Sequence, residues 1–309
     1  MTPPHAKQDL TPLSALGPIL LCIIFGANAV AIKVSLWGIG TFTAAGIRFT
    51  LAAGVIGLWA RLTGRSFSIP GKDVGALLVL CAIFTVQLSL FYLGISKTLA
   101  SRGALVANTV PFLVLIFAHI FLPNDRMAPR KFVGMMLGFC GVAMVLIDGG
   151  TLESHVYAGD WIVLAATICW AANAVYTKSI IHRFHPFQLV LYPMLCAAPF
   201  QLLQGWLWDD VMIHHIDGPV VAAMLYQSLI CAAFGFLVWN HFMARYGASA
   251  LHSFIFIMPI AGVCAGGWVL GEPITLKMVF AAVSVAAGII LINIKSKPAA
   301  PAIPAERSV

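Results

Sequence analysis

Two short stretches of this chain carry the same polar residues on an apolar background. Phe25-Gly-Ala-Asn-Ala-Val-Ala-Ile-Lys33 aligns with Trp170-Ala-Ala-Asn-Ala-Val-Tyr-Thr-Lys178, placing Asn28 over Asn173 and Lys33 over Lys178. A carboxamide offers two donors and an acceptor, so each asparagine is suited to hold a carboxylate or an amine of a small solute. The structural alternative is an interhelical hydrogen bond worth roughly 0.6–2 kcal/mol. Trp170 and Tyr176 flank Asn173 at spacings of three, which predicts an aromatic lining beside the amide. Lys33 and Lys178 would capture a carboxylate at opposite ends of a path, or snorkel to lipid headgroups.

A second set surrounds two prolines. Pro111 and Pro259 fall in mid-span, where each removes a backbone donor and deprives the carbonyl of Ala107 or Ile255 of its usual partner, so kinks that flex during gating are expected. Asn108, Thr109 and Ser253 supply neutral hydrogen-bonding groups nearby, and His252, just before the second proline, titrates near neutrality and could relay protons. Gln87, Tyr92 and Asn240 are further cavity candidates, and Arg48 lies deep in an apolar run where it needs a partner that the sequence does not name.

These groups earn notice because of the elements that carry them. Of 309 residues 61% are hydrophobic and 9% charged, too few charges to cover a water-soluble domain. Apolar runs long enough for a bilayer, about 20 residues each, are read at 15–36, 41–61, 74–95, 102–122, 130–148, 159–180, 187–207, 218–242, 250–270 and 275–294. Continuous runs of that length exclude a β-barrel, whose strands alternate over about ten residues. The expected fold class is an all-α polytopic membrane protein with ten transmembrane helices. The first run continues past Ala27 and Ala29 to about Trp37, so it is read as a retained span and not a cleaved signal.

Charge placement sets an orientation with both termini cytoplasmic. Inner segments then hold Lys7, Arg61, Arg65, Lys72, Arg126, Arg130, Lys131, Lys178, Arg183, Arg245, Lys295, Lys297 and Arg307, against Lys97, Arg102 and Lys277 outside. The net charge of +7 thus reports orientation and not nucleic-acid binding. The acids Asp148, Glu153, Asp160, Asp209, Asp210, Asp217 and Glu272 gather outside, and none lies in the middle of a span, which argues against the carboxylate-based binding of cationic drugs. Seven tryptophans, all but Trp170, fall near span ends as an aromatic belt. The cysteines lie within spans without CxxC spacing and read as packing residues, and no metal, nucleotide or cofactor motif is present. Gly134 with Gly138, and Gly262 with Gly266, have the GxxxG spacing of closely approaching helices.

The aligned stretches imply a duplication, with 15–148 and 159–294 as five-helix repeats between an N-terminal tail 1–14, an outer loop 149–158 and a C-terminal tail 295–309. Leu99-Ala-Ser-Arg-Gly-Ala-Leu105 also resembles Gly247-Ala-Ser-Ala-Leu-His-Ser253, with Pro111 then opposite Pro259. Five spans is an odd number, so the second copy enters the membrane inverted, and equivalent residues converge on a central cavity.

The second half, with Trp239-Asn-His-Phe-Met-Ala-Arg-Tyr-Gly-Ala-Ser-Ala, Met258-Pro259 and Leu270-Gly-Glu-Pro-Ile-Thr275, resembles the drug/metabolite transporter superfamily and its ten-helix EamA branch, and the resemblance covers essentially the whole chain. The first half departs at Leu122-Pro-Asn-Asp-Arg126, where the family usually has Leu-Gly-Glu. The resemblance implies a non-enzymatic exporter of small polar metabolites, foremost amino acids including aromatic or apolar ones, working by alternating access as a monomer in the bacterial inner membrane. Sugar phosphates or nucleotide sugars are the alternative cargo, and these need several buried cations. A hydrolase reading rests only on Ser249 and His252, three apart, in the family-like turn.

Overall fold

The computed structural model describes residues 12–121, 129–147, 154–246 and 254–293. Its helices are α1 (Pro12–Gly26), α2 (Asn28–Ser35), α3 (Thr41–Leu62), α4 (Val74–Lys97), α5 (Ala100–Ala107), α6 (Val110–Phe121), α7 (Pro129–Ile147), α8 (Ser154–Ile180), α9 (Gln188–Trp208), α10 (Gly218–Leu225), a π-helical segment (Tyr226–Gly235), α11 (Phe236–Tyr246), α12 (Ile257–Leu270) and α13 (Leu276–Asn293). The described residues hold no strand, only one isolated bridge, Ile39 to Ile213.

Seven helical stretches are long and apolar enough to cross a bilayer: Ser14–Ser35, Thr41–Leu62, Gly71–Lys97, Ala100–Phe121, Ala158–Arg183, Gly218–Trp239 and Leu276–Asn293. α9 has the length, but Gln188, Gln201 and Gln204 lower its apolarity. All three bond within the protein: Gln188 donates to the Ser66 and Ser68 carbonyls, Gln201 Nε2 donates to Ser89 while its Oε1 stays unpaired among the described residues, and Gln204 accepts from Ser89. α12 is a shorter apolar helix, since the described part of the expected run 250–270 opens on a turn at 254–256.

The connections sort onto two ends. At one, which we term the capped end, Gly40 N donates to the Met212 carbonyl at 2.9 Å and His214 N to that of Gly38 at 2.8 Å, tying 36–41 to 209–217. The Asp209 carboxylate accepts from the amides of Phe42 and Thr43 and from the Thr43 hydroxyl, capping α3. Glu272 does the same for α5, accepting from the amides of Ala100 and Ser101 and the Ser101 hydroxyl. Gly271 before it has φ +65°, a left-handed conformation that ends α12 and turns Glu272 back toward α5. Acceptors at helix N-termini satisfy orphan N–H groups and complement the helix dipole.

At the opposite end, which carries Arg61, Arg65, Lys72 and Arg183, the Tyr192 hydroxyl donates to the Phe67 carbonyl and Arg183 lies 4.0 Å from Asp73. This basic end therefore gathers the connections 63–73 and 181–187.

Small residues set the helix spacing. A Cβ on Gly262 would stand 2.6 Å from the Ala104 Cβ, and one on Gly134 2.8 Å from the Gly288 carbonyl, so α12 lies against α5 and α7 against α13 almost backbone to backbone. Gly262→Val is expected to cost about 1–3 kcal/mol by forcing these helices apart. Gly54→Ala in α3, where nothing lies within 4 Å, serves as the neutral control. Thermal unfolding of the two purified variants checks the contrast.

Candidate functional site

Two helix breaks shape the interior. α1 gives way to α2 at Ala27, beside Gly26, where a Cβ would meet the Met258 carbonyl at 2.5 Å. α5 gives way to α6 at Asn108 and Thr109, whose side chains turn back onto the Ala104 and Val106 carbonyls and so compete with the helix. Pro111 lies at the middle of the apolar stretch Ala100–Phe121, as expected, and both it and Pro259 stand in the first turns of helices, α6 and α12, where a missing N–H costs nothing. The Ile255 carbonyl accepts from Met258 N at 2.9 Å in a tight turn, so it is satisfied despite the proline. The expected kinks are realised as helix starts.

Asn28 opens α2 and Asn173 sits in α8, each seven residues from a helix end, Ser35 and Ile180. At 1.5 Å per residue, Asn28 lies about 10 Å inside the capped end and Asn173 about 10 Å inside the basic end. Among the described residues, Asn28 Oδ1 and Asn173 Nδ2 are buried without a hydrogen-bond partner, while Asn173 Oδ1 accepts a long bond from Thr177 at 3.4 Å. An orphaned buried amide atom costs about 1–3 kcal/mol.

Trp170 is 38% exposed and packs edge-on to Phe91 at 5.9 Å. Seven residues before it lies buried Val163, and Trp170 is turned away from the exposed Trp161 and Ile168 stripe, so its open side is not that face of α8. Spacings of three drift by about 60° each, so Trp170, Asn173 and Tyr176 fan around the helix. The structure accordingly does not bring Tyr176 to Asn173's surroundings: its hydroxyl donates to the Ala76 carbonyl and its ring packs with the small cluster of Leu77, Leu80 and Phe184.

The lysines part company. Lys33 is half-buried, with Nζ donating to the Ser96 carbonyl in the last turn of α4 at 3.1 Å, whereas Lys178 is exposed. His252 and Ser253 lie outside the described residues, as do Ser249 and Leu122–Arg126, and so does the side chain of Asn240 within α11.

The part that sequence reasoning missed is a buried polar chain joining α3, α4 and the π segment. Arg48, 8% exposed, donates from Nη1 to the Tyr92 hydroxyl at 3.4 Å and lies 5.1 Å from the Phe49 ring centre. Tyr92, fully buried, donates to Gln227 Oε1 at 2.6 Å. Next along the π segment, Tyr226 reaches across to the Ile24 carbonyl beside the first helix break at 2.8 Å. π-helical insertions re-aim side chains and recur at functional sites. A glutamine and a serine in a run as apolar as 218–242 were the available signal.

Another missed feature is Arg102, assigned above to an outer loop. It lies in α5 at 1% exposure, where Nε and Nη2 both bond Asp160 of α8, at 2.9 and 2.5 Å, and Nη2 also bonds the Val145 carbonyl. Thr98 donates to the other Asp160 oxygen at 2.5 Å.

Helices that cross a bilayer, with polar groups buried among them, define a multi-pass membrane protein. The chain belongs to the EamA-like transporter family, whose pattern matches residues 13–147 and 157–294. It is 26% identical to "Uncharacterized transporter YvbV" of Bacillus subtilis (strain 168), covering 94% of this chain and 95% of that one. It is 25% identical to the "Probable amino-acid metabolite efflux pump" of Salmonella typhimurium (strain LT2), covering 88% and 91%, and 26% identical to the "Probable terminal-alkyne amino-acid exporter" of Streptantibioticus cattleyicolor, covering 90% and 93%. A solved crystal structure titled only as that of a protein superposes with a TM-score of 0.67 at 16% identity over 90% of this chain and 96% of that one, a likeness of fold.

Proposed function

We propose that the protein exports amino acids or closely related zwitterionic metabolites across the inner membrane by alternating access. The observation that carries this reading is the pair of orphaned amide atoms, an acceptor on Asn28 and a donor on Asn173, at matching depths from opposite ends. A solute with both an ammonium and a carboxylate can engage these amides in turn along its path, its ammonium on Asn28 Oδ1 and its carboxylate on Asn173 Nδ2, and no span places an acid at mid-depth where it would prefer a cation. Two relatives, named "Probable amino-acid metabolite efflux pump" and "Probable terminal-alkyne amino-acid exporter", support the same class.

Two inverted repeats of five helices, 15–148 and 159–294, supply the mechanism. Counting α1–α2, α3, α4, α5–α6 and α7 as the first five crossings, and α8, α9, α10–α11, α12 and α13 as the second, the most extensive helix pairings exchange with one another when the halves are exchanged. α3 pairs with α9, α7 with α13 and α5 with α12. α4 with α8 answers to the π segment and α10 with α1 and α2, and α6 with α8 answers to α12 with α1. The two matched stretches of the family pattern, each about half of the chain, point the same way.

The basic end is the cytoplasmic one by the positive-inside rule. α2 and α5, toward the capped end, are buried on nearly every side, whereas α1 and α6 are half-exposed along most of theirs. Sugar phosphates fit less well, because Lys33 is engaged by Ser96 and Lys178 is exposed, leaving Arg48 as the one deeply buried cation of the three considered.

Proteoliposomes carrying the purified protein are expected to release preloaded radiolabelled L-phenylalanine faster than empty vesicles. Asn28→Ala and Asn173→Ala should each slow release about tenfold, the worth of one hydrogen bond, with unchanged elution and circular dichroism. Undiminished release in both variants would remove the site, and release of glucose 6-phosphate but not amino acids would overturn the cargo.

A further inference from the structure

Among the described residues Arg48 is a buried cation without a counter-charge: its guanidinium meets the Tyr92 hydroxyl and the Phe49 ring and contacts no carboxylate. Three acids at the capped end are committed elsewhere: Asp160 to Arg102, Asp209 to α3 and Glu272 to α5. Keeping an arginine at such depth unpaired is costly, and natural spans retain one where it serves a ligand or a path.

Among the described residues, buried polar atoms of Arg48 and of the elements that hold its partners are also unpaired. Arg48 Nε is buried without a partner, and so are Ser228 Oγ, one residue beyond Gln227, and Gln87 Oε1, on the buried side of α4 that carries Tyr92. Tyr92 engages Nη1 and so holds the guanidinium while leaving its Nε edge unused. That edge, with Nε and Nη2 pointing in parallel, is the one that grips a carboxylate by two bonds. Arg48 lies seven residues into α3, about 10 Å inside the capped end, the same depth as Asn28 in α2, and both helices pack against the π segment.

We propose that Arg48, oriented by Tyr92 and Gln227 and assisted by Ser228, is a binding site for one carboxylate, and that in transport it holds the carboxylate of the cargo while Asn28 Oδ1 accepts from the ammonium. The second half rests on the amino-acid reading above. The carboxylate site does not depend on it.

Thermal unfolding of the full-length protein in nanodiscs, with sodium acetate, chloride or sulfate at matched ionic strength, tests the site. Acetate is expected to raise the wild-type midpoint by about 3 °C or more, with little effect from chloride. R48Q should lose that shift. Its midpoint without acetate should equal or exceed that of wild type, because an uncompensated charge has been removed. R48K keeps the charge without the two-point fork, so acetate must stabilise it less than wild type. That variant decides the matter should R48Q fail to fold. No acetate shift, equal shifts in wild type and both variants, or chloride as effective as acetate would each overturn the site. L-phenylalanine and phenethylamine, which lacks the carboxylate, separate the two readings. The combined proposal expects L-phenylalanine to stabilise wild type more than phenethylamine does, and R48Q to lose that preference. Acetate protection without any effect of L-phenylalanine would retain the site and sink the cargo assignment. Equal stabilisation of wild type and R48Q by L-phenylalanine would retain the amino-acid reading and overturn the assignment of Arg48 to the carboxylate of the cargo.

Discussion

Replacing either partner of the Arg102–Asp160 pair is expected to cost about 3–5 kcal/mol, because the survivor is left as an unpaired charge in a dry interior. The side chains are 2% and 0% exposed, so water cannot take the place of the missing group. Thr98 and the Val145 carbonyl, which complete the pair's hydrogen bonds, would lose partners as well. The thermal midpoint of Asp160→Ala or Arg102→Ala should fall by roughly 6–20 °C. The double variant Arg102→Met/Asp160→Leu, which removes both charges and keeps the volume, should recover most of the loss. Midpoints within about 2 °C of wild type in both single variants would show that the pair is hydrated and of little consequence.

The second large effect concerns closure of the capped end. Asp209 and Glu272 belong to the second half of the chain, and each accepts three hydrogen bonds from a helix start in the first half. An opening that separates the halves there must break all of these at once. Taking about 2 kcal/mol as the net loss per carboxylate, one loss is worth about 30-fold, and Asp209→Ala/Glu272→Ala should shift the balance toward the open state by between about 30-fold and about 1,000-fold. Ala104, 4% exposed and packed beneath Glu272 against Gly262, gives the readout. With the native cysteines replaced, Ala104→Cys in nanodiscs should react with a charged maleimide at least about 30-fold faster when both carboxylates are absent. An unchanged rate would mean that the caps hold individual helices and not the closure.

These two groups of contacts mark the boundary of what could be read from residues alone. Apolar runs announced the helices because in a bilayer every backbone group must be satisfied within its own segment, so length and hydropathy decide the element. Asn28 and Asn173 stood out for the same reason: polar groups there are few. Helix direction around the axis was harder. Tyr176 was placed with Asn173 from spacing alone, and a modest drift per step carries its hydroxyl to Ala76 instead. Pro111 and Pro259 were legible as interruptions, but whether a proline kinks a helix or starts one depends on the neighbours. Asn108 and Thr109 bonding back to the preceding turn settled it for the first.

The sequence by itself therefore determined the helical class, the approximate boundaries, the family resemblance and the short list of polar residues within the apolar runs. The tertiary structure alone decided which of those residues meet. Tyr92 to Gln227 spans 135 positions, Thr43 to Asp209 166 and Ser101 to Glu272 171. Separations of that size carry no local signal. A buried donor takes its partner from whichever helix packs beside it, and helix packing is set by small residues and shape summed over the whole bundle.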